Sequence, residues 1–194
     1  MSDDRLPLAL RQRIMDAARR TFARKGFAET SVREVAADAL TTKPMIYYYF
    51  GSKTGLLETL LDDARVRLTG DLAQIVRGRE PPGEKLVLLI RRLLERMTAE
   101  PDAIAILQRP WPRSANTVEQ STQHGSPLAD TFVASFNAIL AEGEAAGAFR
   151  PVSHDLTARL VLGALDANEA GAPPSAEAIA DLLLHGLSGP TKAW

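Results

Sequence analysis

The chain has 194 residues, of which 45% are hydrophobic and 24% charged, with a formal net charge of −1, a composition typical of globular proteins. It contains no cysteine, which excludes disulfides, thiolate metal sites and cysteine nucleophiles. No segment approaches the ~20 consecutive apolar residues of a membrane span, and the N-terminal residues lack an apolar signal run, so we expect a cytoplasmic protein.

Charge is unevenly distributed along the chain. Residues 1–55 carry ten Lys or Arg against six Asp or Glu, whereas residues 56–194 carry thirteen against eighteen. A basic first quarter joined to an acidic remainder predicts that the N-terminal part meets a polyanion. The shift also marks a candidate domain boundary, and we expect domains at 1–52 and 53–194.

The first patterned segment is an amphipathic helix with arginines on its outer face. Its apolar positions recur at three- and four-residue spacing; they are Leu10, Ile14, Ala17, Ala18, Thr21 and Phe22. Gly26 stands where a left-handed C-terminal cap belongs. A second helix of about two turns begins at Ser31, which can form a capping box with Glu34.

The segment TTKPMIYYYF, residues 41–50, predicts a third helix capped by Thr41 or Thr42. At 100° per residue Tyr49 lies on the core side, whereas Tyr47 and Tyr48 lie on the opposite side with Lys43 and Pro44. Two short helices of this kind predict a helix-turn-helix whose second helix enters the major groove. An ordinary helical corner with tyrosines as filler is the alternative.

The rest of the chain predicts six further helices. We expect them at about 52–72, 86–97, 101–108, 128–146, from Ser153 or Asp155 onward, and at 175–187, with a long loop at 109–127. The eighth and ninth helices mix small and large apolar residues, which lets helices approach closely. A helix pair within one subunit and an interface between two subunits both satisfy this pattern.

The run from Ala17 to Leu61 resembles the DNA-binding domain of TetR-type bacterial transcriptional regulators, in register and without a gap. The likeness covers about a quarter of the chain and rests on Phe22, Gly26, Phe27, Thr30, Val35, Ala36, Ile46, Tyr47, Phe50 and Lys53. Leu40 and Thr41 depart from the glycine and valine that the family usually has in the turn. Pro44 stands where small residues are common, and it has no N–H for a phosphate.

The resemblance implies an all-α protein of about nine helices, with an N-terminal three-helix helix-turn-helix domain and a C-terminal helical domain that binds a ligand and dimerises. It implies a homodimeric repressor that a small molecule releases from a near-palindromic DNA operator, without a cofactor. The expected DNA contacts are Thr42, Lys43, Pro44, Tyr47, Tyr48 and Lys53, with Thr30, Ser31 and Arg33 meeting phosphates at the start of the second helix.

The ligand and dimer sites follow from the same resemblance. An effector cavity would be lined by Met97, Phe132, Phe136 and Leu165, with Trp111 and His124 from the long loop as gates, although an ordinary core would use the same side chains. The expected dimer interface comprises Leu160, Gly163, Ala164, Ala167, Ile179 and Leu183.

Two other functions stay open. The first is a TetR-like DNA-binding protein without an effector. The second is an all-α enzyme, against which the sequence argues because His124, His154 and His185 lie on different segments without a metal-binding spacing. No phosphate-binding glycine loop, nucleophile elbow or carboxylate pair is present either, so we expect neither an enzyme nor a metal site.

Overall fold

The computed structural model describes residues 5–109, 126–166 and 175–188. These ranges contain helices but no strands, which confirms the all-α prediction. The helices are α1 (Arg5–Lys25), α2 (Val32–Asp38), α3 (Lys43–Phe50), α4 (Lys53–Val76), α5 (Pro82–Ala99), α6 (Pro101–Gln108), α7 (Pro127–Ala145), α8 (His154–Asp166) and α9 (Ala176–Ser188). None of those described is long and apolar enough to cross a membrane.

Serine hydroxyls cap α4 and α9 among the described helices. The Gly55 amide donates to Ser52 Oγ at 2.9 Å at the start of α4, and the Ala178 amide donates to Ser175 Oγ at 3.0 Å at the start of α9. Thr42 occupies the N-cap of α3, but its side chain makes no capping hydrogen bond. The predicted position of the N-cap is therefore confirmed, but the expected hydrogen bond to the threonine hydroxyl is not formed.

The described residues form two compact units. Unit 1 comprises residues 5–66, 100–109 and 126–127, and unit 2 comprises residues 67–99, 128–166 and 175–188. Helix α6 therefore belongs to the same unit as α1 to α3. The predicted domain boundary between residues 52 and 53 stays a prediction.

Unit 1 has an apolar core in which Ile14, Phe22 and Ile46 are fully buried. Gly26 ends α1 with a φ of +82°, and the Phe27 ring stacks back on Phe22 with centroids 5.9 Å apart. This confirms the predicted cap, because a left-handed residue turns the chain back across the last helical turn.

Unit 2 has a second core, built on α5 and α7. Its largest fully buried side chains include Leu89, Phe132 and Phe136, and the two phenylalanine rings lie 5.5 Å apart. Lys85 is only 3% exposed, and its Nζ donates to the Val76 carbonyl at 3.0 Å and to both carboxylate oxygens of Glu142 at 2.8 Å. This one ammonium thus joins the last turn of α4 to α5 and α7.

Candidate nucleic-acid interface

The start of α2 is held by a reciprocal cap. The Glu34 amide donates to Ser31 Oγ at 3.1 Å, and the Ser31 amide donates to Glu34 Oε2 at 2.9 Å, which confirms the predicted capping box. The Lys25 ammonium also donates to Glu34. The hydrogen bond from Lys25 and then those from Ser31 lower the pKa of Glu34 from its usual 4.5 to about 2, because each of them favours the charged carboxylate.

The turn between α2 and α3 contains the one described non-glycine residue with a positive φ, Leu40 at +49°. The Leu40 amide donates to the Ala37 carbonyl at 3.1 Å and the Thr41 amide to the Ala36 carbonyl at 2.9 Å, the paired bonds of a Schellman motif. The turn thus follows the path that a glycine would take. Leucine carries the strain of that path, about 1–2 kcal/mol.

The three tyrosines divide as the helical spacing predicts. Tyr49 is half-buried and packs against the core of unit 1 beside buried Ile46 and Phe50. Tyr47 and Tyr48 are 47% and 78% exposed. The exposed side of α3 therefore presents two phenols, each with an apolar ring and one hydroxyl.

The exposed face around α3 is cationic. Residues 39–57 contain two lysines and no acidic residue, and across the described ranges neither Arg33 nor Lys43 forms an ion pair. On α1, by contrast, Arg19 and Arg20 pair with carboxylates of unit 1, and Arg13 binds backbone carbonyls. Arg33 on α2 and Lys43 on α3 are therefore available to bind an external anion.

Seven of the nine expected DNA-contact residues lie on the surface of unit 1. They are Ser31, Arg33, Thr42, Lys43, Pro44, Tyr47 and Tyr48. Lys53 is half-buried, with its ammonium 4.3 Å from the centroid of the Phe27 ring, and burial lowers its pKa, an effect that the charge of Glu34 opposes.

Thr30 does not share this surface. Its side chain is buried, and its hydroxyl donates to the Gly26 carbonyl at 2.7 Å. The expectation that Thr30 meets a phosphate needs correction, because this hydroxyl fixes the connection between α1 and α2 instead. The sequence pattern could not show this, since a threonine before a helix suits either role.

The expected ligand-contact residues lie mainly in the core of unit 2. Phe132, Phe136 and Leu165 are buried and Met97 is half-buried, whereas Trp111 and His124 lie outside the described residues. Asn137 on α7 was not predicted from the sequence. Its Oδ1 is buried without a hydrogen-bond partner among the described residues, and a single amide in an apolar helix gives no periodic signal that could have revealed it.

Helices α8 and α9 each expose apolar side chains. On α8 these include Leu156 and Leu160, beside exposed Gly163 and Ala164 one turn further on. On α9 Leu182 is 79% exposed. Of the other expected interface residues, Leu183 is half-buried and Ala167 lies outside the described residues.

Ile179 was also expected at the dimer interface, but its side chain is buried within unit 2. That expectation needs correction, because the inner and outer faces of α9 are both apolar and the sequence could not distinguish them.

Unit 1 therefore contains a helix-turn-helix, the architecture of a class of DNA-binding proteins. The second helix of this motif, α3, exposes a lysine and two tyrosines. Residues 14–60 match the family model described as bacterial regulatory proteins, tetR family. Residues 79–168 match a second model, the tetracyclin repressor-like C-terminal domain. The chain belongs to the TetR family of bacterial regulatory proteins.

Individual relatives agree with this assignment. The transcriptional repressor NicS of Pseudomonas putida is 26% identical over 140 residues, which are 72% of this chain and 66% of NicS. The chain spans less than half of two further curated relatives, 48% and 43% of their lengths. A TetR-like transcriptional regulator from Rhodococcus sp. RHA1 superimposes with a TM-score of 0.69 at 26% identity, over 90% of this chain and 91% of that one. AibR, solved with isovaleryl coenzyme A and operator DNA, superimposes with a TM-score of 0.67 at 21% identity, over 93% and 99% of the two chains.

Proposed function

We propose that this protein is a DNA-binding transcriptional repressor that acts as a homodimer and is released from a near-palindromic operator by a small molecule. The observation that carries the proposal is the outer side of α3, where Tyr47, Tyr48 and Lys43 are exposed within nineteen residues that lack any carboxylate. A surface of this kind suits a polyanion that also offers flat, stackable groups and hydrogen-bond acceptors.

Each exposed group has a role in the proposed complex. Lys43 neutralises a phosphate beside the N-terminus of α3, and Tyr47 and Tyr48 lay their rings against sugars or bases while their hydroxyls donate to acceptors. Thr42 and Pro44 line the approach of α3 to the major groove. Ser31 and Arg33 meet the phosphate backbone at the start of α2, where the helix dipole also favours an anion.

Homodimerisation is proposed through the exposed apolar faces of α8 and α9, around Leu160, Gly163, Ala164 and Leu182. Exposed leucines beside small residues allow two helices to approach closely and remove the leucine side chains from water. A two-fold dimer presents two copies of α3, which reach successive major grooves when they lie about 34–36 Å apart. The operator is then an inverted repeat.

The effector is proposed to be a small, mostly apolar molecule bound in unit 2. Met97, Phe132, Phe136 and Leu165 supply apolar surface, and AibR shows that the same overall architecture accommodates a small molecule and operator DNA. Binding of the effector would change the spacing of the two copies of α3 and so lower the affinity for the operator.

A repressor without an effector is the second candidate. It is favoured by the burial of Phe132, Phe136 and Leu165, each at most 1% exposed, because side chains this closely packed are also those of an ordinary core. Thermal melts of the protein with a panel of apolar small molecules distinguish the two candidates. A ligand that raises the melting temperature and also releases DNA supports the first.

Footprinting on the DNA that flanks the gene for this protein tests the proposal most broadly. We expect a protected region with two-fold sequence symmetry and half-sites about one helical turn apart. The affinity should fall steeply as salt increases, because bound counterions are released from the phosphates. Protection without symmetry would contradict the homodimer, and equal affinity for all DNA sequences would contradict operator recognition.

A further inference from the structure

The side chain of Leu40 does not explain the backbone conformation that this residue adopts in the turn of the helix-turn-helix. It lies in the left-handed conformation with a φ of +49°, yet its side chain is 82% exposed. The energy gained by burying the isobutyl group therefore does not offset the strain energy of the backbone. Another interaction must keep the turn on this path.

Arg13 supplies such an interaction from α1. Its Nη2 donates to the Ala39 carbonyl at 2.7 Å and to the Leu40 carbonyl at 3.2 Å. The Schellman bonds of the turn use the carbonyls of Ala36 and Ala37, so the carbonyls of Ala39 and Leu40 are open to another donor. A charged donor makes stronger hydrogen bonds than a neutral one.

The position of Arg13 on α1 makes it a firm anchor. The next residue, Ile14, is fully buried in the core of unit 1, so the backbone of α1 is fixed at this point. The guanidinium bridges 26 residues of sequence to reach the end of α2. Thr42 and Lys43 follow the turn directly, so the path of the turn sets where α3 begins.

We infer that Arg13 is a positioning residue of the DNA interface, which holds the strained Leu40 turn and thereby places the N-terminus of α3. Its charge is used on backbone carbonyls and not on a phosphate. The inference rests on the proposed function for its consequence in DNA binding, whereas its structural part concerns the turn alone.

Hydrogen exchange in the full-length protein without DNA tests the structural part. Arg13→Gln should speed the exchange of the Thr41 and Met45 amides, which donate to the carbonyls of Ala36 and Thr42. Adding Leu40→Gly to this variant should restore their protection, because glycine adopts a positive φ without strain. Unchanged exchange in Arg13→Gln, or no recovery in the double variant, would overturn the inference. If Arg13→Gln fails to fold, a folded double variant with wild-type protection supports the inference, and an unfolded double variant overturns it.

DNA binding then tests the consequence, using the site that footprinting defines. Arg13→Gln should weaken specific binding about tenfold, the factor expected for a lost hydrogen bond to a charged donor, with an unchanged slope of log affinity against log salt. Arg13→Lys should weaken it similarly, since the lysine side chain is one bond shorter than arginine and its ammonium cannot occupy the position of Nη2. Leu40→Gly alone should leave affinity unchanged and should restore it when added to Arg13→Gln.

The alternative role for Arg13 has a different signature. If Arg13 met a phosphate, Arg13→Gln would lower the salt slope by about 0.9 for each copy of the arginine, and Arg13→Lys would retain binding. Either result overturns the inference. Absence of sequence-specific binding by the wild-type protein would contradict the proposed function instead, and the exchange experiment would still decide what Arg13 does.

Discussion

The two units of this chain use the same kind of amphipathic helix but expose different chemistry. Unit 1 exposes lysine, arginine and tyrosine around α3, whereas unit 2 exposes leucines and small residues on α8 and α9. Unit 1 also leaves Lys43 on its surface, whereas unit 2 buries Lys85 between three helices. The difference supports the two proposed partners, a polyanion for unit 1 and a second copy of the chain for the apolar surface of unit 2.

The largest effect is expected from the buried cation of unit 2. Lys85→Ala removes the ammonium that Glu142 and the Val76 carbonyl share, together with the buried stem of the side chain. It should lower the free energy of unfolding by about 3 kcal/mol, measured by urea denaturation. The control is Arg91→Ala, which breaks the exposed pair with Glu177 and should cost about 0–1 kcal/mol. Equal losses in the two variants would contradict the special role of Lys85.

A charged substitution tests whether the apolar face of unit 2 is the dimer interface. Leu160→Glu should convert the dimer to a monomer in sedimentation equilibrium, and operator affinity should fall about 100-fold because one subunit alone engages only one half-site. Leu8→Glu is a matched control, since both leucines are 66% exposed but Leu8 lies in unit 1. A dimer that survives Leu160→Glu, or that Leu8→Glu disrupts, would place the interface elsewhere.

The cationic face of unit 1 should show a smaller effect per residue. Lys43→Ala and Tyr47→Ala should each weaken operator binding about tenfold, and only Lys43→Ala should lower the salt slope, by about 0.9 for each copy of the lysine that meets a phosphate. Fluorescence anisotropy at several salt concentrations measures both quantities. The control is Arg20→Ala, which breaks an ion pair with Asp38 on the same unit and should leave the affinity as it is in the wild type. A Lys43→Ala variant with wild-type affinity would reject the proposed contact.

The smallest effect concerns the capping box of α2. Because the folded-state pKa of Glu34 lies at about 2, below its usual 4.5, its contribution to stability is present above pH 4.5 and is lost as the pH falls towards 2. Glu34→Gln should therefore melt at a lower temperature than the wild type at pH 6, and the difference should shrink as the pH approaches 2. A difference that stays constant with pH would show that charge plays no part in this cap.

Much of the fold could be predicted from local patterns. Ser31 and Glu34 stand three residues apart before an apolar run, and Gly26 follows the last apolar position of α1. A rotation of 100° per residue places Tyr49 on one face of α3 and Tyr47 and Tyr48 on the other. Each of these signals depends on a few neighbouring residues, and each feature appears as predicted in the structure.

The features that could not be predicted depend on distant residues or on alternatives of equal local quality. Arg13 and Leu40 are 27 positions apart, and no periodicity links them. Thr30 is as suitable for a surface contact as for an internal hydrogen bond, and Ile179 lies on a helix that is apolar on more than one side. The assignment of such residues requires knowledge of which side faces the core.

The central claim, that the outer side of α3 enters a DNA duplex, can be tested with a cleavage reagent tethered to a single cysteine. The native chain has no cysteine, so Tyr48→Cys and a control variant, Arg79→Cys, which is exposed in unit 2, each carry the reagent at one known position per chain. With both proteins bound to the operator, Tyr48→Cys should cleave within both half-sites, about one helical turn apart, and Arg79→Cys should leave the DNA intact. Cleavage from Arg79→Cys alone, or none from Tyr48→Cys, would contradict the account.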